Sequence, residues 1–228
     1  MSGPSLLLTR PREDSLALAA ELARHGVESL IEPMMTIRID DDAKLDLSGA
    51  QAILLTSANG ARALAATSPD EEARRLPVLA VGCATAHAAR DAGFRAVAAA
   101  DGDVDALAAL AAARLRAAGF EAERAPLYDA LASHALSAPA RRTLEARTLA
   151  GVALFSPRTA RLFAKLVHES GLDSTARTLT AFCLSQAVAE AAATLSWQRI
   201  SVAAAPRQDS LVASVTGALA PGPCSDRR

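Results

Sequence analysis

The feature that most constrains the fold is an internal repeat. The segment Gln51–Ala65 (QAILLTSANGARALA) has a counterpart in Gly151–Lys165 (GVALFSPRTARLFAK), with Ser57 aligned to Ser156. Each copy has the pattern of a buried strand, a polar turn that opens with serine, and the first turns of a helix. The match continues along the helical part, in the pairs Ala61/Ala160, Arg62/Arg161, Leu64/Phe163 and Ala65/Ala164. Two copies of one strand–helix unit predict two similar domains, and we expect a ligand to bind between them.

The composition excludes several classes of protein. Of the 228 residues, 51% are hydrophobic and 3% are aromatic, and the net charge is −1. Such a chain can bury a core, and its many alanines and leucines favour helices over an all-β fold. A nearly neutral charge gives no general attraction to nucleic acid or to anionic membranes. No apolar run approaches the roughly 18 residues of a membrane span, and the one near the N-terminus is too short for a signal peptide. We therefore expect a cytoplasmic protein with no nucleic-acid or membrane partner.

The sequence contains no recognisable cofactor or metal motif. Its cysteines, Cys83, Cys183 and Cys224, are far apart and form neither a CxxC pair nor a metal-ligand spacing with the histidines. We interpret them as free thiols of a reducing compartment. The motifs GxGxxG, GxxxxGK[ST] and GxSxG are absent from the sequence, and the aspartate clusters do not follow the EF-hand pattern. Dinucleotide-binding, P-loop and hydrolase assignments therefore have no support in the sequence.

Strands and helices alternate along most of the chain, a pattern that predicts parallel sheets covered by helices on both faces. The predicted strands are Ser5–Thr9, Val27–Pro33, Ala52–Thr56, Val78–Val81, Ala96–Ala99, Val152–Phe155, Thr180–Leu184 and Ile200–Ala204. The predicted helices are Asp14–His25, Gly60–Ala66, Thr85–Ala92, Val104–Ala118, Thr159–Glu169, Ala187–Leu195 and Asp209–Leu219. We interpret Met34–Asp46 as a polar connection, and the segment before Arg147 as a link that contains proline and serine.

A second repeat indicates how the domains are assembled. Gly26-Val27-Glu28 with Pro33 matches Gly119-Phe120-Glu121 with Pro126. A strand, a loop and a helix precede the first copy, but the second directly follows the helix that begins near Asp105. The middle domain therefore lacks one strand–helix unit. The repeats assign residues 1–35 and 140–220 to one α/β domain and residues 46–125 to another. Linkers occupy 36–45 and 126–139, and residues 221–228 form a disordered tail.

Polar side chains follow the predicted strands at the edge where parallel sheets bind ligands. They are Arg10, Ser57, Asn59, Thr85, Ser156 and Ser185. The serines are equally explained as helix caps, and Thr85 as part of an ordinary strand-to-helix turn. The alternative is that several helix N-termini bind carboxylates or phosphates. The duplication favours this alternative, because both copies keep polar residues at the same edge.

Tyr128, the only tyrosine, lies at a predicted crossing between the domains. A single tyrosine is ordinarily a packing residue whose hydroxyl reaches water. At a domain junction, the same hydroxyl is also a candidate proton donor.

Five segments, in their order along the chain, resemble the uroporphyrinogen-III synthase family. They are LLLTRP, ILLTSANGAR, VGCATAHAARDAGF, FEAERAPLYDA and FSPRTARLF. Each segment alone is weak, but the ordered set is specific and spans nearly the whole chain. The resemblance implies two flavodoxin-like α/β domains joined by a two-stranded linker, with the first β-α-β unit completing the C-terminal domain.

The resemblance also implies a reaction that needs no metal or organic cofactor. A monomeric lyase would bind hydroxymethylbilane, a linear tetrapyrrole with eight carboxylates, and close it with loss of water and inversion of the last ring. Tyr128 matches the family tyrosine that is proposed to assist departure of the hydroxyl, and Thr85 matches a family threonine at the cleft. Arg10, Ser57, Asn59, Ser156 and Ser185 are the further candidates for substrate binding.

The sequence departs from the family pattern in two places. Leu184–Ala187 stands where the second copy often has a turn with glycine and threonine, and the middle domain lacks its strand, loop and helix before Gly119. The alternative function is therefore a catalytically silent relative that binds a tetrapyrrole or another polyanion as a regulatory or scaffolding module.

Overall fold

The computed structural model describes residues 5–40, 42–43, 45–100 and 115–219. The chain divides into two compact units, which we call the larger unit (residues 1–36 and 131–228) and the smaller unit (residues 37–130). The predicted disordered tail lies outside the described residues. Residues 104–114 of the predicted helix Val104–Ala118 also lie outside the described residues. Residues 115–117 of it are helical.

The helices and strands follow one another in this order. The first part of the chain contains β1 (Ser5–Leu8), α1 (Arg12–Ala23), β2 (Glu28–Ile31), β3 (Met35–Ile39), β4 (Ile53–Leu55), α2 (Ala58–Ala66), β5 (Val78–Val81), α3 (Cys83–Asp91) and β6 (Val97–Ala100). The second part contains β7 (Tyr128–Ala132), α4 (Ala138–Glu145), β8 (Leu149–Leu154), α5 (Pro157–Glu169), α6 (Asp173–Ala176), β9 (Thr180–Cys183), α7 (Gln186–Ala192), β10 (Arg199–Val202) and α8 (Gln208–Leu219).

The larger unit is built on a parallel sheet with the strand order β10-β9-β8-β1-β2. Its three central strands, β9, β8 and β1, are almost fully buried, as expected of a parallel sheet covered on both faces, whereas the edge strands β2 and β10 are partly exposed. Because successive side chains of a strand point to opposite faces, Leu6 and Leu8 enter one core cluster and Leu7 enters the other. Since β9, β8 and β1 are neighbours in this sheet, the loops that follow them leave from the same edge.

The smaller unit has a parallel sheet with the order β4-β5-β6 among the described residues. Helices α2 and α3 pack against each other, and side chains from both join the core cluster that includes Ile53 and Val78. The side chain of Leu79, on the central strand, is 43% exposed although its neighbours Val78 and Ala80 are buried.

Strands β3 and β7 pair with each other in a separate two-stranded sheet. The division between the two units falls within both strands, at residues 36/37 and 130/131. The backbone amide of Asp40 donates to the carbonyl of Leu127 at 3.0 Å, and that of Ser133 donates to the carbonyl of Met34 at 2.9 Å. The segment that we interpreted as a polar connection is thus in part a paired strand.

The predicted fold class, α/β with parallel sheets in two domains, is confirmed. One interpretation is wrong: the segment before Arg147 is not only a link, because it contains α4. Ser137 caps that helix by accepting a hydrogen bond from the amide of Ala140, and Pro139 occupies its first turn. The buried carboxylate of Glu32 accepts hydrogen bonds from both the amide and the hydroxyl of Ser137, which joins this cap to the chain after β2.

Candidate functional site

The hydroxyl of Tyr128 forms a hydrogen bond with the hydroxyl of Ser57, with 2.8 Å between the two oxygens. Both side chains belong to the smaller unit and are half-buried. Tyr128 is the first residue of β7, and its ring packs against the core cluster of the unit. Two residues that the sequence analysis singled out for different reasons are therefore in direct contact.

Ser57 reaches this position because it ends a strand and starts a helix. Its backbone is extended (φ −153°, ψ 154°), and its Oγ accepts a hydrogen bond from the amide of Gly60 at 2.9 Å. This is the usual geometry of a serine N-cap, which satisfies one of the free N–H groups of the helix. The capping prediction is confirmed, and the cap also holds the Ser57 oxygen in place for Tyr128.

The first turn of α2 leaves room for the aromatic ring. A Cβ added to Gly60 would lie 3.4 Å from the Ser57 Oγ and 3.9 Å from the Cε1 atom of Tyr128. The ring edge therefore lies beside the helix N-terminus, where the helix dipole places partial positive charge. A hydroxyl in this environment can face an anion.

Asn59, also in the first turn of α2, has its side chain engaged within the helix. Its Oδ1 accepts a hydrogen bond from the guanidinium of Arg62 at 2.7 Å. The amide group of Asn59 keeps its two N–H donors, and amide N–H groups suit a carboxylate acceptor. Because of these two donors, Asn59 is still a candidate for substrate binding.

Thr85 lies in the first turn of α3, which follows β5, the neighbour of β4. Gly82 precedes the helix with φ +80°, a conformation that residues with a Cβ rarely adopt. The side chain of Thr85 is only 4% exposed, and among the described residues its hydroxyl has no side-chain hydrogen bond. Ser57 and Thr85 therefore follow adjacent strands at the carboxyl edge of the same sheet.

Arg10, in the larger unit, has a guanidinium that contacts several groups of its own unit. It lies 3.1 Å from Asp14 and donates to the Oε1 of Gln208 at 2.9 Å. Its charged carbon also lies over the ring of Phe155, 4.7 Å from the ring centre. The side chain is 20% exposed. These contacts join the starts of α1 and α8 to the carboxyl edge of the sheet.

Ser156 and Ser185 occupy equivalent positions after the neighbouring strands β8 and β9, but their side chains behave differently. Ser156 caps α5: its Oγ accepts from the amide of Thr159 at 3.1 Å and lies 2.9 Å from the Thr159 hydroxyl. Ser185 precedes α7 and makes no side-chain cap hydrogen bond. Within the larger unit, both serines and Arg10 follow three adjacent strands at one edge of the sheet.

Sequence reasoning missed the partners of these residues. Next to Tyr128, the exposed carboxylate of Asp129 accepts from Arg38 at 2.7 Å, a contact that follows from the pairing of β7 with β3. The partners of Arg10 are far from it in sequence, except for Asp14 at the i+4 position. Arg10 precedes both the predicted helix and α1, so the i, i+4 rule for residues on a helix did not indicate this pair.

Two grooves in the larger unit lie away from the candidate residues. One, of about 520 Å³, is lined at the amino ends of β9 and β10 by Ala150, Thr178, Thr180, Gln198, Arg199, Ala218 and Leu219. The other, of about 300 Å³, is lined by Arg161, Ala164, Lys165, His168, Asp173, Thr194 and Leu195. Parallel α/β sheets bind ligands at the carboxyl ends of their strands, so the geometry favours the candidate residues over either groove.

None of the helices in the described ranges is long and apolar enough to cross a membrane. Within the same ranges, no three histidine, cysteine, aspartate or glutamate side chains come together in a way that would hold a metal ion.

Comparisons with known proteins give one family. The sequence model of uroporphyrinogen-III synthase (HemD) matches residues 17–114 and 109–213. A search of curated proteins finds no match to this sequence.

Among solved structures, a mutant uroporphyrinogen III synthase from the extremely thermophilic bacterium Thermus thermophilus matches with a TM-score of 0.52 and 16% identity, over 95% of this chain and 98% of that one. A second structure of the Thermus thermophilus enzyme has a TM-score of 0.41 at 17% identity, over 95% and 99% of the two chains. A wild-type structure from the same organism has a TM-score of 0.42 at 18% identity, over 95% and 98%. At such identities, the first of these matches shows a shared fold.

Proposed function

We propose that this chain, which belongs to the uroporphyrinogen-III synthase family, catalyses the reaction of that family. It would close hydroxymethylbilane with loss of water and inversion of the last pyrrole ring, and so form uroporphyrinogen III in the cytoplasm as a monomeric lyase. The observation that carries the proposal is the family match, which covers most of the chain. The Tyr128–Ser57 pair supports it by placing a phenolic hydroxyl at a helix N-terminus.

Tyr128 is the proposed catalytic residue. The hydroxyl that leaves the substrate needs a proton to depart as water, and a half-buried phenol can supply one. The electron-rich pyrrole stabilises the cation that remains, so a weak acid is sufficient. The same pyrrole system loses a proton when the ring closes, which restores the proton balance without a cofactor.

The remaining candidates are proposed to hold the carboxylates of the substrate. Ser57, Asn59 and Thr85 lie at the carboxyl edge of the smaller sheet, where α2 and α3 direct their free N–H groups and positive dipole ends. These donors attract carboxylates even though the net charge of the whole chain is −1. The electrostatic attraction is thus local.

The larger unit would contribute a second set of donors. Ser156 and Ser185 follow adjacent strands. The hydroxyl of Ser185 does not cap its helix and is available to a ligand. Arg10 would supply positive charge at this edge while its guanidinium stays bound to Asp14 and Gln208.

The reaction is tested by supplying the purified protein with freshly made hydroxymethylbilane, oxidising the products and separating the porphyrin isomers. The linear substrate closes spontaneously to isomer I. We expect the fraction of isomer III to rise with protein concentration. If only isomer I forms at every protein concentration, the proposal is wrong.

A second function, a catalytically silent relative that binds a tetrapyrrole, is favoured by one observation. The described part of the smaller unit has a three-stranded sheet, whereas the sheet of the larger unit has five strands. A shortened domain that kept its polar edge could still hold a polyanion. Tight binding of uroporphyrinogen III without formation of isomer III from the linear substrate would select this function over catalysis.

A further inference from the structure

Resting on the proposed function, a further assignment concerns the partner of Tyr128. We propose that Ser57 is a positioning residue for the reaction: it donates its hydroxyl proton to the Tyr128 oxygen, which leaves the Tyr128 O–H directed at the leaving hydroxyl of the substrate. Ser57 would act through Tyr128, and a carboxylate at this place would bind the free N–H groups of α2 and not the Ser57 hydroxyl.

The hydrogen-bond capacity of Ser57 limits the possible arrangements. A serine hydroxyl has one proton and two acceptor positions. The amide of Gly60, at 2.9 Å, occupies one acceptor position, because an amide N–H can only donate. One proton and one acceptor position remain on Ser57 for the Tyr128 oxygen at 2.8 Å.

The direction of the Ser57–Tyr128 bond follows from the chemistry required of Tyr128. If Tyr128 donated to Ser57, the proton needed by the leaving hydroxyl would already be committed to a neighbour. If Ser57 donates, the phenolic proton is available. Within the described residues, the Tyr128 hydroxyl has one hydrogen-bond partner, the hydroxyl of Ser57.

The same direction gives a chain of hydrogen bonds that reinforce one another. It runs from the Gly60 N–H to the Ser57 hydroxyl and then to the Tyr128 oxygen, and it starts at the positive end of α2. Aligned hydrogen bonds polarise and so strengthen each other. The cap also fixes the Ser57 oxygen, and thereby the phenolic oxygen.

The single tyrosine of the chain gives a direct readout. Tyrosine labelled with ¹³C at Cζ yields one protein resonance, that of Tyr128. This carbon moves upfield when the phenolic oxygen accepts a hydrogen bond and downfield when the O–H donates one. The variants are Ser57→Gly, which removes the hydroxyl but is tolerated at an N-cap, and Ser57→Thr, which keeps both hydroxyl and cap. The control is Asp70→Ala, which removes the acceptor of the Ala73 amide, at 2.8 Å, elsewhere in the same unit.

In the Ser57→Gly protein we expect the Cζ resonance to move downfield, because the phenol loses an accepted hydrogen bond. We expect kcat for isomer III to fall about tenfold, the effect of one hydrogen bond, with KM changed less than kcat. The Ser57→Thr protein should have a Cζ resonance and a kcat close to those of the unsubstituted protein. Asp70→Ala should leave the resonance and kcat unchanged.

The assignment would be overturned if the Cζ resonance of the Ser57→Gly protein did not move, or if it moved upfield, which would show that Tyr128 is the donor. It would also be overturned if the Ser57→Thr protein, which keeps the hydroxyl, lost as much kcat as the Ser57→Gly protein. Formation of isomer I alone by the unsubstituted protein defeats the proposed function instead. The resonance of Ser57→Gly would then still determine the direction of the hydrogen bond.

Discussion

The guanidinium carbon of Arg10 lies 4.7 Å from the centre of the Phe155 ring, and these two residues follow the neighbouring strands β1 and β8. The same guanidinium pairs with Asp14 at 3.1 Å. A cation held by an aromatic ring and a carboxylate stabilises the packing at this edge of the larger sheet, whatever it does for a ligand.

Arg10→Gln should therefore reduce the stability of the protein. We expect the free energy of unfolding to fall by about 1–2 kcal/mol, because the ring contact and the ion pair are lost together. Urea denaturation measures this change. Arg12→Gln, which removes the same charge from an exposed position in the first turn of α1, is the matched control. Equal stability of Arg10→Gln and Arg12→Gln would contradict the structural role of Arg10.

Much of the fold was predictable because its signals are local. The apolar run Val78–Val81 is a strand with the predicted bounds, and Ser57 and Ser156 cap helices as predicted. Several helices begin two residues earlier than predicted, for example α2 at Ala58, because the helix starts directly after its cap. The capping residue was a better marker of the start than the first apolar residue.

The contact between Tyr128 and Ser57 was not predictable from local patterns. It depends on where β7 is placed after its pairing with β3, and this pairing joins residues that are far apart in sequence. Strand β3 itself was interpreted as a polar connection, because its stabilising partner is remote. The partners of Arg10 were missed for the same reason, since Gln208 and Phe155 come near it only in the folded sheet.

Gly151 is a position where the larger sheet should tolerate no side chain. A Cβ there would lie 2.5 Å from the carbonyl oxygen of Thr180 and 2.8 Å from the Cε2 atom of Phe182. Gly151→Ala should therefore lower the free energy of unfolding by about 1–3 kcal/mol, the usual effect of overpacking a core. The control is Gly217→Ala, in α8, where a Cβ would meet nothing within 4 Å. There we expect a gain of up to about 1 kcal/mol from helix propensity. Equal effects at the two positions would show that the close approach of β8 and β9 is wrong.

The ion pair between His168 and Asp173 should give a small, pH-dependent stabilisation. The hydrogen bond that the His168 ring donates to Asp173 raises the pKa of His168 above its usual 6.5, and the same bond lowers the pKa of Asp173 below its usual 3.8. The contribution of His168 is complete below its unfolded pKa and is lost as the pH rises through the folded pKa. That of Asp173 is complete above its unfolded pKa and is lost as the pH falls through the folded pKa.

We therefore expect the difference in stability between the unsubstituted protein and His168→Asn to be largest near pH 5 and to shrink above neutrality. Thermal unfolding between about pH 4 and 9 measures it. Because both side chains are exposed, the difference should also decrease with added salt. A difference that grows as the pH rises would contradict the pairing.

The two described cysteines should differ in reactivity. Cys183 is buried in the core of the larger unit, and burial raises the pKa of its thiol to about 11. Cys83 is exposed at the start of α3. Since the thiolate is the reactive form, iodoacetamide should label Cys83 in the folded protein and label Cys183 only after denaturation. Peptide mass mapping distinguishes these two sites from Cys224. Equal labelling of Cys83 and Cys183 under native conditions would contradict the packing of β9.

The role of Tyr128 is tested most directly by comparing the unsubstituted protein with Tyr128→Phe in the formation of isomer III from hydroxymethylbilane. The substitution removes one oxygen and keeps the ring in the core, so the free energy of unfolding should change by only about 1 kcal/mol. We expect kcat to fall by about a hundredfold, the scale of general acid catalysis, while isomer III stays the product that the remaining activity forms. Equal rates for the two proteins would remove Tyr128 from the mechanism, and isomer I alone from the unsubstituted protein would show that the chain is not a synthase.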